Sequence, residues 1–270
     1  MLRKTWLKTI AAIAAVPILA GSALASYIYV SQEAMMFFPT PLPIDHQFVF
    51  DAPFEEVTIS VDGAEISALH FRQPSPRGLV FFLHGNGGNL ESWASDIDYY
   101  QRVNYDLFIF DYRGYGKSTG SIQSETQLHG DVRAAWNTVA PHYREKPIVV
   151  YGRSLGTAFA AKLAVDVNPA LLILVSPFSS MVAMGRQEYP FLPEWLLRYP
   201  LRTDKLIADI RTPTVFVHGD EDRLIPVEHT YDLMGLASTD AKLLLIEGAG
   251  HNDIHRFSSY LDGLTSELPD

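Results

Sequence analysis

Cysteine is absent from all 270 residues. Disulfides, thiolate metal sites and a cysteine nucleophile are thereby excluded, and the chain carries no signature of its redox compartment. Basic side chains are also scarce: 21 Lys and Arg face 31 Asp and Glu, a formal net charge of −10. The first 32 residues hold only Arg3, Lys4 and Lys8, so the remainder has 18 basic against 31 acidic groups, or −13. A body of that charge repels polyphosphate, which sets nucleic-acid partners aside. A phosphate-binding P-loop is missing too. Gly116-Lys117-Ser118 supplies the end of that pattern, but Asp111 stands where its leading glycine belongs. There is no internal repeat and no low-complexity tract.

Charge is missing altogether from Thr9 to Val30, 22 residues preceded by the basic flank 1–8. That length crosses a hydrocarbon core about 30 Å thick, and the basic flank predicts a cytoplasmic N-terminus with the body on the extracytoplasmic side. A second reading is a signal peptide cleaved near Ala25, because Ala23-Leu24-Ala25 satisfies the small-residue rule. Tyr27 and Tyr29 suit a membrane interface and favour a retained anchor over 9–30. Pro39, Pro41 and Pro43 then predict an extended tether over 31–47, with a folded domain over 48–270.

At 47% hydrophobic residues the rest of the chain can bury a sizeable core as one unit. It opens with two strands joined at Asp62-Gly63, a hairpin turn signal. Short continuous apolar runs follow, LVFFL, DLFIF, IVVY, LLILV, TVFV and KLLLI, alternating with helical stretches near Leu90 to Arg102, Glu125 to Val139, Leu155 to Val167 and Val227 to Leu236. Strands of that kind are covered on both faces, so the expected fold is α/β, a mostly parallel doubly wound sheet with helices on both sides. Between Ser176 and Pro213 the alternation gives way to aromatic and methionine residues broken by Pro190, Pro193 and Pro200. A small cap at about 177–212 is expected there, with Phe178, Met181 and Trp195 as candidate substrate-binding residues. The competing reading of the same residues is ordinary core.

The stretch GRSLG places Ser154 between an apolar strand and an alanine-rich helix. A strand-to-helix turn tight enough to expose that serine is the nucleophile elbow, and it presents the amide of Leu155 at a helix N-terminus, where a developing oxyanion is favoured. A serine hydroxyl also needs a base and an acid to orient the base. The loops after TVFVHG and KLLLIEG supply Asp222 and His251, in the order Ser, acid, His expected of this arrangement. Asp220 competes with Asp222 on the same loop, and His255 competes with His251 from one turn inside the following helix. His218, at a strand end, reads as a structural donor. His251 and His255 have the spacing of a helical metal pair, but no glutamate lies between them and no third ligand is evident, so neither metal nor cofactor is expected. The second oxyanion donor is assigned to the amide of Asn86 in HGNGGN, where glycines let backbone approach substrate. Asp111, Arg113, Tyr115 and Gly116 in FDYRGYGKSTG are expected to brace the loops of the site.

HGNGGN, FDYRGYGKSTG, GRSLG, HGDEDRLIP and GAGHND, in this order, resemble the α/β-hydrolase superfamily, and specifically its Bem46-like branch with the α/β-hydrolase-domain proteins 13 and 17. The resemblance runs from about Phe37 to the C-terminus. It implies an α/β-hydrolase fold and serine hydrolysis by Ser154, Asp222 and His251. Members of that branch also carry an N-terminal membrane segment followed by a glutamine and an aromatic-proline pair, here Gln32 to Pro39. The branch includes protein depalmitoylases, yet this chain lacks the N-terminal cysteine cluster of the palmitoylated members. The expected function is a membrane-anchored serine hydrolase acting on a small acyl ester or thioester. The alternatives are a serine peptidase or amidase of the same fold and a non-catalytic scaffold.

Overall fold

The computed structural model describes residues 2–190 and 193–270, without the side chains of residues 2–14, 17, 18 and 188. Eight strands form one sheet in the order β1-β2-β4-β3-β5-β6-β7-β8. β1 (Phe54–Val61) and β2 (Ala64–Phe71) make the antiparallel hairpin expected at Asp62-Gly63, and β2 lies antiparallel to β4 (Tyr105–Phe110). The remaining pairings, through β3 (Gly78–Leu83), β5 (Ile148–Arg153), β6 (Leu171–Val175), β7 (Thr214–Gly219) and β8 (Ala241–Ile246), are all parallel.

A parallel strand needs both faces covered because its crossover helices lie on both sides. β3, β4 and β6 are buried along their full length, and β5 along all but its last residue. One apolar cluster lies under α4 (Glu125–Val139) and α5 (Leu155–Val167); the other lies under α2 (Leu90–Trp93), α3 (Ile97–Arg102) and α9 (Ser258–Glu267). The helix expected over Leu90 to Arg102 is two. Asn89 and Ser92 form a capping box on α2, and the chain turns at Ala94 before α3 begins. The cap interval contains α6 (Met181–Glu188), a 3₁₀ turn at Glu194–Leu196 and α7 (Thr203–Leu206); Phe191 lies outside the described residues. α8 (Glu228–Leu236) completes the helices described after β7.

The N-terminal segment does not run free of the body up to residue 48. α1 spans Leu2–Met36, and its C-terminal end is packed on the body. Gln32 is buried, donating from Nε2 to Leu196 O at 2.8 Å and accepting from Arg198 N–H at 2.8 Å. Phe37 enters the core edge-on to Tyr199, 5.2 Å between ring centroids. Residues 38–42 are extended as expected, but they are bonded rather than free: Thr40 N–H donates to Gly88 O and Leu42 N–H to Gly116 O. The folded body thus begins near Gln32, and residues 37–42 act as a strap across it. Among the described residues no helix is long and apolar enough to cross a membrane. The expected anchor over 9–30 includes residues 9–14, 17 and 18, whose side chains lie outside the description.

Candidate active site

Ser154 sits between the last residue of β5 and the first of α5 with φ 51° and ψ −118°. A non-glycine residue held there is strained, and such strain persists where the surroundings over-determine it. Here its N–H donates to Val175 O at 2.9 Å, and its carbonyl accepts from both the N–H and the hydroxyl of Thr157. The glycine two places on is fixed by space. A Cβ at Gly156 would come within 2.1 Å of Leu83 O, so α5 can lie against the end of β3 only without a side chain at this position.

Ser154 Oγ lies 3.0 Å from His251 Nε2, and His251 Nδ1 lies 2.7 Å from Asp222 Oδ2. An ionised carboxylate only accepts, so Nδ1 carries the imidazole proton and Nε2 is left as an acceptor facing the serine. The other oxygen of Asp222 accepts from Leu224 N–H and Ile225 N–H at 3.0 and 2.8 Å. Burial raises the Asp222 carboxyl pKa, but hydrogen bonds from His218, His251 and Ile225 N–H outweigh it and hold the group well below the usual carboxylate range. His218 is the structural donor expected, with Nε2 2.8 Å from Ile225 O and 3.4 Å from Asp222 Oδ2. Asp220 points elsewhere: it is exposed and accepts from Gly248 N–H at 2.7 Å. His255 lies in a short 3₁₀ turn, Ile254–Arg256, rather than inside a helix. Among the described residues no group of three or more His, Cys, Asp or Glu side chains could hold a metal ion.

The loop from His84 to Asn89 follows β3 at the same edge of the sheet. Among the described residues neither the Asn86 amide nor the Leu155 amide donates to a protein acceptor, as oxyanion donors require. The Asn86 side chain, by contrast, is bonded at both its oxygen and its nitrogen. Its Oδ1 accepts from Phe38 N–H (3.0 Å), the Tyr115 hydroxyl (2.8 Å) and Gly87 N–H (3.0 Å), and its Nδ2 donates to Met36 O at 2.6 Å. FDYRGYGKSTG therefore braces the loop. Asp111 Oδ2 accepts from Leu90 N–H and Oδ1 lies 3.5 Å from His84 Nε2, while Arg113 holds Asp131 through two nitrogens. Gly116 is required because a Cβ there would lie 1.9 Å from Asp111 Oδ2. Burial raises the Asp111 carboxyl, opposite in direction to Asp222.

Phe178 is 2% exposed and belongs to the core, and Met181 packs against that core. Trp195 stands 76% exposed on the 3₁₀ turn that Gln32 fastens to α1. None of the three lines the cavity of about 410 Å³ between α2–α3 and α9, whose lining includes Asn86, Arg153 and Asn252. The pattern of alternating strands and helices did not mark this cavity, since its walls are split among six separate segments. The strap's docking is hidden for a related reason: a proline-rich run shows its extended shape but not its bonding partner.

The family described as serine aminopeptidase, S33, matches residues 74–202, a span that holds Asn86 and Ser154 but not Asp222 or His251. The chain is 31% identical over 212 residues to human alpha/beta hydrolase domain-containing protein 17B, covering 77% of this chain and 72% of that one. The Xenopus laevis protein of the same name is 33% identical over 194 residues, of which this chain spans 66% of the length. An uncharacterized protein of Mycobacterium tuberculosis is 30% identical over 249 residues, covering 89% of this chain and 88% of that one. Among solved structures, an esterase of Pyrococcus furiosus superposes with a TM-score of 0.68 at 21% identity, over 86% of this chain and 96% of that chain.

Proposed function

The chain belongs to the α/β-hydrolase superfamily, and from that premise we propose that it is a serine hydrolase that cleaves carboxylic ester or thioester bonds. The reading rests on one observation, the unbroken chain from Ser154 Oγ through His251 to Asp222, beginning at a backbone strained into the left-handed region. In this reading Ser154 Oγ attacks the acyl carbon while His251 Nε2 takes the hydroxyl proton. Asp222 holds the imidazole in the required tautomer and stabilises the imidazolium. The carbonyl oxygen, now anionic, is received by the N–H groups of Asn86 and Leu155. Collapse expels the alcohol or thiol, which leaves with the proton from His251, and water hydrolyses the acyl-enzyme by the same route.

The description of the matching family as an aminopeptidase supports a second reading, cleavage of an amide by the same residues. Labelling the full-length chain with a fluorophosphonate and locating the adduct tests the shared premise, since a scaffold without chemistry takes no label. Ester, thioester and N-terminal amide substrates with one acyl group then separate the two readings.

We further propose that residues 9–30 anchor the chain in a membrane with the body on the extracytoplasmic side. Support comes from 22 uncharged residues, about 33 Å of helix, behind a basic flank. Release of the chain by alkaline carbonate, or an N-terminus found at Ser26, would instead favour the cleaved form.

A further inference from the structure

The cavity of about 410 Å³ is of the size that holds a small ligand, and its composition narrows which one. Six of its 17 lining residues carry benzenoid or indole rings: Phe82, Trp93, Tyr99, Tyr100, Tyr151 and Tyr260. They already meet edge to face, Phe82 with Tyr151 at 4.6 Å and 88°, Tyr99 with Tyr100 at 5.2 Å and 75°. A flat ring inserted among them gains the same contacts, which a linear chain of equal carbon count cannot.

Two lining residues are chain neighbours of the residues proposed to react. Arg153 precedes Ser154, Asn252 follows His251, and Arg153 Nη2 donates to His251 O at 3.2 Å. The Arg153 guanidinium lies over the Trp93 ring at 5.4 Å; Asp96 also lines the cavity, but among the described residues it forms no ion pair within 4 Å with Arg153. Ser154 and His251 are not themselves in the lining, but their chain neighbours are, which puts part of the cavity beside the imidazole from which a departing group collects its proton. Resting on the hydrolase reading above, we propose that this cavity receives the leaving group of the substrate, an alcohol or thiol that bears an aromatic ring with an anionic substituent turned toward Arg153.

Acetate esters test this without changing the acyl-enzyme. With the full-length chain in detergent, kcat/KM is measured for methyl, heptyl and benzyl acetate and for 4-(acetoxymethyl)benzoate, each normalised to its alkaline hydrolysis rate. Every ester gives the same acetyl-enzyme, so differences in kcat/KM report the leaving group. Benzyl acetate exceeds heptyl acetate, with the same seven carbons, by about 5-fold. The carboxylate raises the rate further, and Arg153→Gln removes that increment, about 10-fold. Ser95→Trp, at the rim, lowers the benzyl-to-methyl ratio about tenfold by occupying the cavity. Fluorophosphonate labelling of Ser154 accompanies every variant as the measure of an intact site. A benzyl-to-heptyl ratio of one or less, an increment that survives Arg153→Gln, or no turnover of the benzyl esters, each with labelling retained, overturns the cavity assignment. Loss of labelling in the unaltered chain overturns the hydrolase reading instead.

Discussion

Asp222 takes its two backbone hydrogen bonds from residues two and three places along the chain, whereas Asn86 is held by Phe38, 48 residues away, by Met36, 50 away, and by Tyr115, 29 away. The acid and its loop are thus supported locally, by a turn that the sequence HGDEDRLIP already contains. The loop assigned to the oxyanion is supported from a distance, by a strap at the end of α1 and by the loop after β4. Local support makes the first half depend on single side chains. Distant support makes the second half depend on segments that must all be docked, and spreads the loss when one contact is removed.

The sharpest break falls on the nucleophile and base. Ser154→Ala should remove fluorophosphonate labelling and lower ester turnover by a factor on the order of 10⁶, and His251→Ala nearly as far. The double variant should lose little more than either alone, because the two residues act as one unit. Full labelling of the Ser154→Ala chain sinks the assignment.

Asp222→Asn comes next, at about 10³ to 10⁴ in kcat with KM little changed, since the amide presents the wrong partner to His251 Nδ1. Asp220→Asn should do far less, because its contact is to Gly248 N–H and not to the imidazole. A larger effect at Asp220 would reassign the acid.

The distant half should yield more gradually. A chain beginning at residue 45 loses the strap's bonds to Asn86, Gly88 and Gly116, and its kcat should fall by about 10², the cost of misplacing a donor by a fraction of an ångström to an ångström. A chain beginning at residue 31 keeps them and should retain its rate. Tyr115→Phe removes one hydroxyl that donates to Asn86 Oδ1 while Phe38 and Gly87 still bond that oxygen, so the loss should be about 2- to 10-fold. Equal rates for the two shortened chains would show that the strap has no part in positioning the loop.

The same division governs what could be read in advance. Strands β3 to β7 were legible because burial on both faces writes a continuous apolar run, whereas β8, half exposed at the sheet edge, shows an apolar run without that burial; Ser154, Asp222 and His251 were legible because each follows such a run in a recognisable loop. The strap was not, since Phe37 and Gln32 look like any residues after an apolar helix until Tyr199 and Leu196 are brought beside them. Phe178 and Met181 were ambiguous for the opposite reason: aromatic and methionine residues near a site look alike whether they face substrate or the core, and here they pack with the core.

Acidity should separate the two halves by sign, with the smallest effects of the set. Asp222 has its folded-state pKa depressed, so its contribution to stability is present above the unfolded carboxylate value of about 3.9 and is lost as pH falls below it. Asp111, buried behind the oxyanion loop, has its pKa raised. Its contribution is therefore present below about 3.9 and is lost as pH rises through the folded value. Urea unfolding of the wild-type chain, Asp222→Asn and Asp111→Asn from pH 3 to 7 reads both. The stability of wild type relative to Asp222→Asn should rise with pH, and that relative to Asp111→Asn should fall. Two slopes of the same sign would mean that Asp111 stays ionised against His84, 3.5 Å away, and that both halves of the site are held by charge.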